Sequence, residues 1–203
     1  MKRILWCGDS TMTGAVRAPD GIFRLTDSNE MRVCTDLLLE LHGEGCVQST
    51  NAAYGGTTTQ DWVLGNAAIG MPDFSTRMYQ NQLIDIVVVQ LGINDAFNPG
   101  ITVDLYKWNI ARMYQIAEQW GKDIVFATPS PINRPENSKL WDLQHNLKYV
   151  AAGLGVRVID HYVAATSVGP CWEQCLPDGI HPDEYLYRFK GHTSFLALRD
   201  RVV

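Results

Sequence analysis

The chain has 203 residues and a formal net charge of −5, with 46% hydrophobic and 19% charged residues. This composition excludes a disordered chain, and the length suits one domain with a full hydrophobic core. The basic residues are scattered, which argues against a nucleic-acid partner, and no apolar run is long enough to span a membrane.

Short apolar runs alternate with amphipathic segments along the chain. Five runs predict β-strands, at residues 4–7, 46–48, 84–90, 124–127 and 156–159. The third run is apolar nearly throughout, which is typical of a strand that is buried on both faces. Strands that alternate with helices predict a parallel sheet covered by helices on both sides. No internal repeat or linker interrupts the pattern, so we expect a single domain over residues 1–203.

Helix boundaries are predicted from capping signals. Asp27 and Glu30 form a candidate capping box at the start of the first long helix, and Gly43 ends it. Thr102 is the expected N-cap of a second long helix, which closes at Gly121. Two further helices are predicted, at residues 139–152 and 183–199.

Polar motifs follow four of the predicted strands. Ser10 comes after the first strand and residues 51–56 after the second. Asn94 comes after the third, while Asp178 and His181 lie in the long loop after the fifth. Because ligands bind at the carboxyl ends of parallel strands, we expect these motifs to meet at one edge of the sheet.

Ser10, Asp178 and His181 are the residue types of a nucleophilic triad: a nucleophile, an orienting acid and a base. The side-chain amide of Asn94 and the backbone N–H groups of Gly56 and Ser10 are candidate donors to an oxyanion. Each residue also has a simpler explanation, since Ser10 suits a helix cap and the others suit turns. The G-x-S-x-G motif of α/β-hydrolases is absent around Ser10, which disfavours that fold.

The remaining histidines and the five cysteines indicate no metal site. His161 follows Asp160, but adjacent residues at a strand end point to opposite faces, so this pair is a poorer base and acid. Cys171 and Cys175 are close enough in sequence for a local disulfide, or they are free thiols. We expect neither a metal nor another cofactor.

At four blocks the chain resembles the SGNH, or GDSL-type, hydrolase superfamily. The blocks are Gly8-Asp9-Ser10, Asn51-Ala52-Ala53-Tyr54-Gly55-Gly56-Thr57, Gly92-Ile93-Asn94-Asp95 and Asp178-Gly179-Ile180-His181, in the family's order. The resemblance implies a flavodoxin-like three-layer α/β/α domain with about five parallel strands, and metal-free ester hydrolysis. It also implies Ser10 as nucleophile, Asp178 and His181 as acid and base, and an oxyanion hole of Ser10, Asn94 and Gly56, which matches better than Gly55.

The substrate is indicated less directly. Thr11 replaces the leucine of many members, as in relatives that act on acetylated polysaccharides, which favours a short acyl group on a carbohydrate. A lysophospholipase or acyl thioesterase is the alternative enzyme, and a carbohydrate-binding module without turnover is the alternative of another class. Four aromatic side chains could stack on sugar rings or simply pack inside: Tyr54, Trp62, Trp141 and Trp172.

The sequence leaves the oligomeric state open. The apolar stretch in residues 1–7 is too short for a signal peptide, so a cytoplasmic location is the default expectation.

Overall fold

A five-stranded parallel sheet forms the centre of the molecule. The structure, a computed structural model, describes residues 1–18, 20–169 and 171–202. The strands in chain order are β1 (Lys2–Gly8), β2 (Ala15–Arg17), β3 (Phe23–Leu25), β4 (Val47–Asn51), β5 (Ile86–Gln90), β6 (Asp123–Ala127) and β7 (Val158–Ile159). The main sheet has the order β4-β1-β5-β6-β7, which is the flavodoxin-like arrangement, and β2 and β3 form a separate antiparallel pair.

Helices cover both faces of this sheet. They are α1 (Ser10–Thr13), α2 (Glu30–His42), α3 (Thr59–Leu64), α4 (Phe74–Gln80), α5 (Ile93–Phe97), α6 (Val103–Gln119), α7 (Asn137–Leu154), α8 (His161–Ser167) and α9 (Glu184–Leu198). Short 3₁₀ turns occupy Ala67–Ile69, Trp172–Cys175 and Arg199–Arg201. Side chains of α2 and α9 pack on one face, while α3, α4, α6 and α7 contribute to the core on the other.

Alternate residues of β1 enter the two cores. Leu5 and Cys7 pack with the α6 and α7 side, whereas Ile4 and Trp6 pack with the α2 and α9 side. All four side chains are fully buried, as expected for a central strand with helices on both sides. The predicted three-layer α/β/α fold is therefore confirmed.

The five predicted strands are all present, although their bounds differ. The largest difference is at β4, which continues to Asn51 and pairs with β1 from Val47 opposite Lys2 to Asn51 opposite Trp6. β4 is an edge strand with polar residues on its exposed face, so its apolar run underestimates its length.

The predicted capping box at the start of α2 is wrong. The N-cap is Asn29, whose side chain accepts a hydrogen bond from the Arg32 N–H at 3.0 Å. At the second long helix the prediction holds, because the Thr102 hydroxyl accepts from the Leu105 N–H at 3.2 Å.

Glu30 lies instead in a fully buried polar cluster that joins three helices. One carboxylate oxygen accepts hydrogen bonds from His161 Nε2 at 2.8 Å and Ser194 Oγ at 2.7 Å, and the other lies 3.0 Å from Lys190 Nζ. Burial alone would raise the pKa of Glu30, but His161 and Lys190 lower it well below its usual range. The cluster connects α2, α8 and α9 through contacts that are distant in sequence.

Two glycines inside helices test the packing of the outer layers. A Cβ added at Gly191 in α9 would lie 2.5 Å from Val33 Cβ in α2, whereas one at Gly153 in α7 would meet nothing within 4 Å. We expect Gly191→Ala to lower the free energy of unfolding by about 1–3 kcal/mol through overpacking. Gly153→Ala should raise it by up to about 1 kcal/mol through helix propensity. Urea denaturation measures both, and equal effects would contradict the close α2–α9 contact.

Candidate active site

The turn from β1 into α1 presents Ser10 at the carboxyl edge of the sheet. Gly8 ends the strand, and a Cβ there would lie 2.6 Å from the Gln90 carbonyl oxygen of β5. Asp9 is the N-cap of α1 and accepts a hydrogen bond from the Thr11 N–H at 2.9 Å. Ser10 is the first helical residue, so its own N–H has no partner within the helix and is available to a ligand.

Buried hydrogen bonds among Asp9, Thr11 and Gln90 stabilise this turn. The Thr11 hydroxyl donates to Asp9 Oδ1 at 2.8 Å and accepts from Gln90 Nε2 at 2.7 Å. Burial raises the pKa of Asp9, although its bonds with Thr11 lower it in part. Thr11 and Met12 are both buried, so they influence a substrate only through the position of Ser10.

Ser10, His181 and Asp178 form a continuous chain of hydrogen bonds. Ser10 Oγ lies 2.9 Å from His181 Nε2, and His181 Nδ1 lies 2.8 Å from Asp178 Oδ2. Asp178 also accepts from the backbone N–H groups of Ile180 at 3.0 Å and His181 at 2.8 Å. A carboxylate beside Nδ1 favours the tautomer with its proton there, which leaves Nε2 free to accept the serine proton.

The charge of Asp178 is stabilised by these bonds. Burial alone would raise the pKa of its carboxyl group, but the hydrogen bonds from His181 and Ile180 outweigh that effect and lower the pKa. The group is therefore an anion at neutral pH and can stabilise a positively charged imidazole ring.

The loop that carries this acid and base is fastened to the loop after β6. The Asn133 N–H donates to the Gly179 carbonyl at 2.8 Å, and the Arg134 guanidinium donates to the Asp178 carbonyl. Gly179 has φ 79°, and a Cβ there would lie 2.9 Å from the Asn133 carbonyl oxygen, so only glycine suits this position. No local pattern predicts these contacts, because they join two loops that are 44 residues apart in the chain.

The candidate oxyanion donors lie on the segments that follow β4 and β5. One N–H of the Asn94 amide donates to the Thr57 carbonyl at 3.0 Å, which fixes the amide and leaves its second N–H available.

Gly56 has φ 75°, in the region that favours glycine. A Cβ added at Gly55 would lie 3.7 Å from Ser10 Cβ, whereas one added at Gly56 would meet nothing within 4 Å. The Tyr54 N–H donates to the Gly8 carbonyl at 2.9 Å and ties this turn to β1.

Asp95, which the sequence analysis did not single out, connects the two donor segments. Its carboxylate accepts from the Thr59 N–H at 3.1 Å and the Thr59 hydroxyl at 2.5 Å, and Asn109 donates to the same hydroxyl at 2.9 Å. The side chain is fully buried, and this burial raises its pKa to about 6, with a smaller contribution from the charge of Asp9. Asp95 thus joins the start of α5, which carries Asn94, to the start of α3.

The aromatic residues predicted near the site have different environments. Trp62 is fully buried and its indole N–H donates to Thr57 Oγ1 at 3.1 Å, so it cannot stack on a substrate. Trp141 is 46% exposed on α7 and packs against Tyr162. Trp172 packs in a small apolar cluster with Leu186, whereas Tyr54 is half-buried against the main core.

The aromatic ring that contacts His181 is Phe23, which the sequence analysis missed.

Neither a metal site nor a membrane span is found in the described part of the chain. No group of three or more His, Cys, Asp or Glu side chains is placed to hold a metal ion there. In residues 1–18, 20–169 and 171–202, no helix has the length and hydropathy that crossing a membrane requires. Cys171 and Cys175 are both free thiols.

The raised pKa of Asp95 predicts how stability depends on pH. An unfolded aspartate titrates near pH ~3.9. The folded protein binds this proton more tightly, so the stabilising contribution is fully present below about pH 4 and is lost as the pH rises through about 6. Relative to Asp95→Asn, the wild type should lose about 2 kcal/mol of unfolding free energy between pH 4 and pH 7.

Urea unfolding at several pH values measures this difference. Asp104→Asn is the control, because its side chain is 93% exposed and its curve should run parallel to that of the wild type. Parallel curves for Asp95→Asn as well would contradict the assignment.

Several solved structures share the fold over almost the whole chain. An acetylxylan esterase from Geobacillus stearothermophilus is 16% identical with a TM-score of 0.74, and the match covers 97% of this chain and 94% of that one. The aryl esterase of M. smegmatis is 18% identical with a TM-score of 0.78, over 100% and 98% of the two chains. A lipase/acylhydrolase from Enterococcus faecalis is 24% identical with a TM-score of 0.73, over 99% and 97%.

At these identities the structural likeness establishes the fold, and the family follows from the sequence. Among curated proteins no sequence matches significantly. A sequence model of the GDSL-like lipase/acylhydrolase family matches residues 7–189. The chain therefore belongs to the GDSL-like lipase/acylhydrolase family and is an ester hydrolase.

Proposed function

We propose that the protein is a metal-free serine esterase that hydrolyses short acyl esters, foremost acetyl groups on carbohydrates, through an acyl-enzyme. The observation that carries the mechanism is the unbroken contact from Ser10 Oγ to His181 at 2.9 Å and from His181 to Asp178 at 2.8 Å. A serine nucleophile is activated by a base within hydrogen-bond reach of its hydroxyl, and here that contact is already formed without substrate.

Acylation begins when Ser10 Oγ attacks the ester carbonyl carbon and His181 Nε2 takes the hydroxyl proton. The negative charge that develops on the carbonyl oxygen is stabilised by the Ser10 and Gly56 N–H groups and the Asn94 amide. The bond to the alcohol oxygen then breaks, and His181 returns the proton to the leaving alcohol. Asp178 stays ionised throughout and holds the imidazole ring in its working orientation.

Deacylation repeats these steps with water as the nucleophile. His181 takes a proton from the water molecule as it attacks the acyl carbon, and the same three donors hold the oxyanion. The bond to Ser10 Oγ breaks, the serine recovers its proton from His181, and the carboxylic acid leaves. No step uses a metal, so a chelator should leave the rate unchanged.

The preference for acetyl esters of carbohydrates rests on two observations. Thr11 stands where the resemblance to the SGNH superfamily gives many members a leucine, and in this it is similar to members that act on acetylated polysaccharides. An acetylxylan esterase is among the proteins that share the fold over nearly the whole chain. A carbohydrate-binding module without turnover is disfavoured, because all of the proposed catalytic residues are present and the hydrogen-bonded chain is intact.

Replacement of the nucleophile tests the mechanism. Ser10→Ala should lower kcat by about ten-thousandfold or more, because the hydroxyl that forms the acyl-enzyme is absent. A fluorophosphonate probe should label Ser10 in the wild type and nothing in the variant. Thermal unfolding should be similar for both proteins, and Ser138→Ala, at an exposed serine, is the matched control. Full activity of Ser10→Ala, with a label on another serine, would reject the assignment.

A series of p-nitrophenyl esters from acetyl to palmitoyl tests the acyl preference. We expect the highest kcat/KM for acetyl and a steep fall by octanoyl, since one methylene that does not fit a pocket typically changes discrimination by about 1–3 kcal/mol. Acetylated xylan or pectin and an acyl-CoA complete the panel. If kcat/KM instead rises steadily with chain length or is highest for acyl-CoA, the enzyme is a lysophospholipase or thioesterase.

A further inference from the structure

A small antiparallel ribbon lies between the nucleophile turn and α2. This ribbon comprises residues 15–18 and 20–25, in which Arg17 on β2 pairs with Phe23 on β3. It leaves the main body directly after α1, so only a short segment separates it from Ser10. The ribbon therefore lies close to the proposed active site.

The base of the ribbon is anchored to the main body. The buried Tyr187 hydroxyl of α9 donates to the Ala15 carbonyl at 2.9 Å. The Thr26 N–H donates to the Gly14 carbonyl at 2.9 Å, and the Thr26 hydroxyl donates to Glu184 at 3.0 Å. Because both ends are held, the ribbon has a defined position relative to the loop of His181.

Phe23 contacts the proposed base and is nevertheless open to solvent. Its ring centroid lies 4.8 Å from that of His181 in an edge-to-face arrangement, and the Arg17 guanidinium lies 5.6 Å from the Phe23 centroid. The residue is still 51% exposed. A large apolar ring held in this way beside a catalytic group leaves an area that a ligand can cover.

A cleft adjoins the same strand pair. It has a volume of about 450 Å³ and is lined by Arg17, Ala18 and Gly21 from the ribbon and by Pro177 from the His181 loop. This volume lies in the range of small-molecule sites. The space between the ribbon and the His181 loop is thus large enough for part of a substrate.

The proposed chemistry decides which part of the ester faces Phe23. His181 Nε2 must give its proton to the leaving alcohol, so the alcohol oxygen has to be within hydrogen-bond reach of that atom. The carbonyl oxygen points instead to the donors on Ser10, Gly56 and Asn94. Phe23 contacts the imidazole ring that delivers this proton, and this contact favours the alcohol side of the ester over the acyl side as its neighbour.

We infer that Phe23 is a specificity residue that binds the ring of the alcohol portion of the substrate, a sugar ring in the proposed function. This inference rests on the serine esterase mechanism proposed above. The apolar C–H face of a sugar covers the exposed part of the phenyl ring, while an alcohol without a ring leaves it in water. Burial of about half of a phenylalanine ring corresponds to about a tenfold preference in kcat/KM.

Two pairs of esters separate the alcohol side from the acyl side. Cyclohexyl acetate and an acetylated methyl glycoside are compared with ethyl acetate, which shares their acyl group. Ethyl acetate and ethyl butyrate share their alcohol. Phe23→Ala should lower the ratio of kcat/KM for the ring-bearing acetates to that for ethyl acetate by about tenfold, while Phe23→Trp should preserve or increase it. The ratio of acetate to butyrate should not follow this change.

Ile22→Ala is the matched control, because Ile22 precedes Phe23 on the ribbon and is 58% exposed. It should leave all ratios unchanged. If Phe23→Ala lowers all rates equally, or changes only the ratio of acetate to butyrate, the alcohol subsite is wrong although hydrolysis still depends on Ser10. Activity that survives in Ser10→Ala would overturn the proposed mechanism itself. A wild-type protein that cleaves none of the acetates would overturn both proposals.

Discussion

The close approach of β1 and β5 at Gly8 is the constraint on which the site depends. A Cβ at this position would lie 2.6 Å from Gln90 O and 2.7 Å from Met12 Cβ, so only glycine fits at the end of the strand. The buried side chain of Asp9 then caps α1 and presents Ser10 at the sheet edge. The Tyr54 N–H donates a hydrogen bond to the Gly8 carbonyl, so the turn that carries Gly56 is held against the end of β1. Gly8 therefore positions both the turn that carries Ser10 and the segment that carries Gly56.

The site uses the same residue type in opposite electrostatic states. Asp178 receives two backbone N–H bonds and the imidazole ring, so its pKa falls and its charge is available to support a protonated His181. Asp95 is buried more deeply, and desolvation outweighs its bonds with Thr59, so its pKa rises. The charge that the proposed reaction needs is thus placed where several donors stabilise it. The structural carboxyl group reduces its desolvation cost by holding a proton as the pH falls.

Much of the fold and the positions of the polar motifs could be predicted from the sequence, because both depend on local patterns. Apolar runs located all five strands, and turn residues after them located Ser10, Asn94 and the Asp178 to His181 loop. The start of α2 could not be settled in this way, since Asp27 and Asn29 have similar capping propensities. Tertiary contacts decide where the helix begins. Glu30 forms its contacts with His161 and Lys190, which lie more than a hundred residues away, and so does not complete a capping box. The fastening of the His181 loop by Arg134 has the same origin.

The aromatic residues show why residue type alone does not identify a binding surface. The sequence does not distinguish the surroundings of Trp62 from those of Phe23. In the structure, Trp62 packs into the main core, while Phe23 is half exposed beside His181. Burial therefore decides which ring can meet a ligand. Phe23 stands on a ribbon outside the main sheet, so a change there alters the surroundings of the imidazole ring without disturbing the strands that position Ser10. In the proposed function, specificity for the alcohol and the chemistry of hydrolysis are therefore carried by separate parts of the fold.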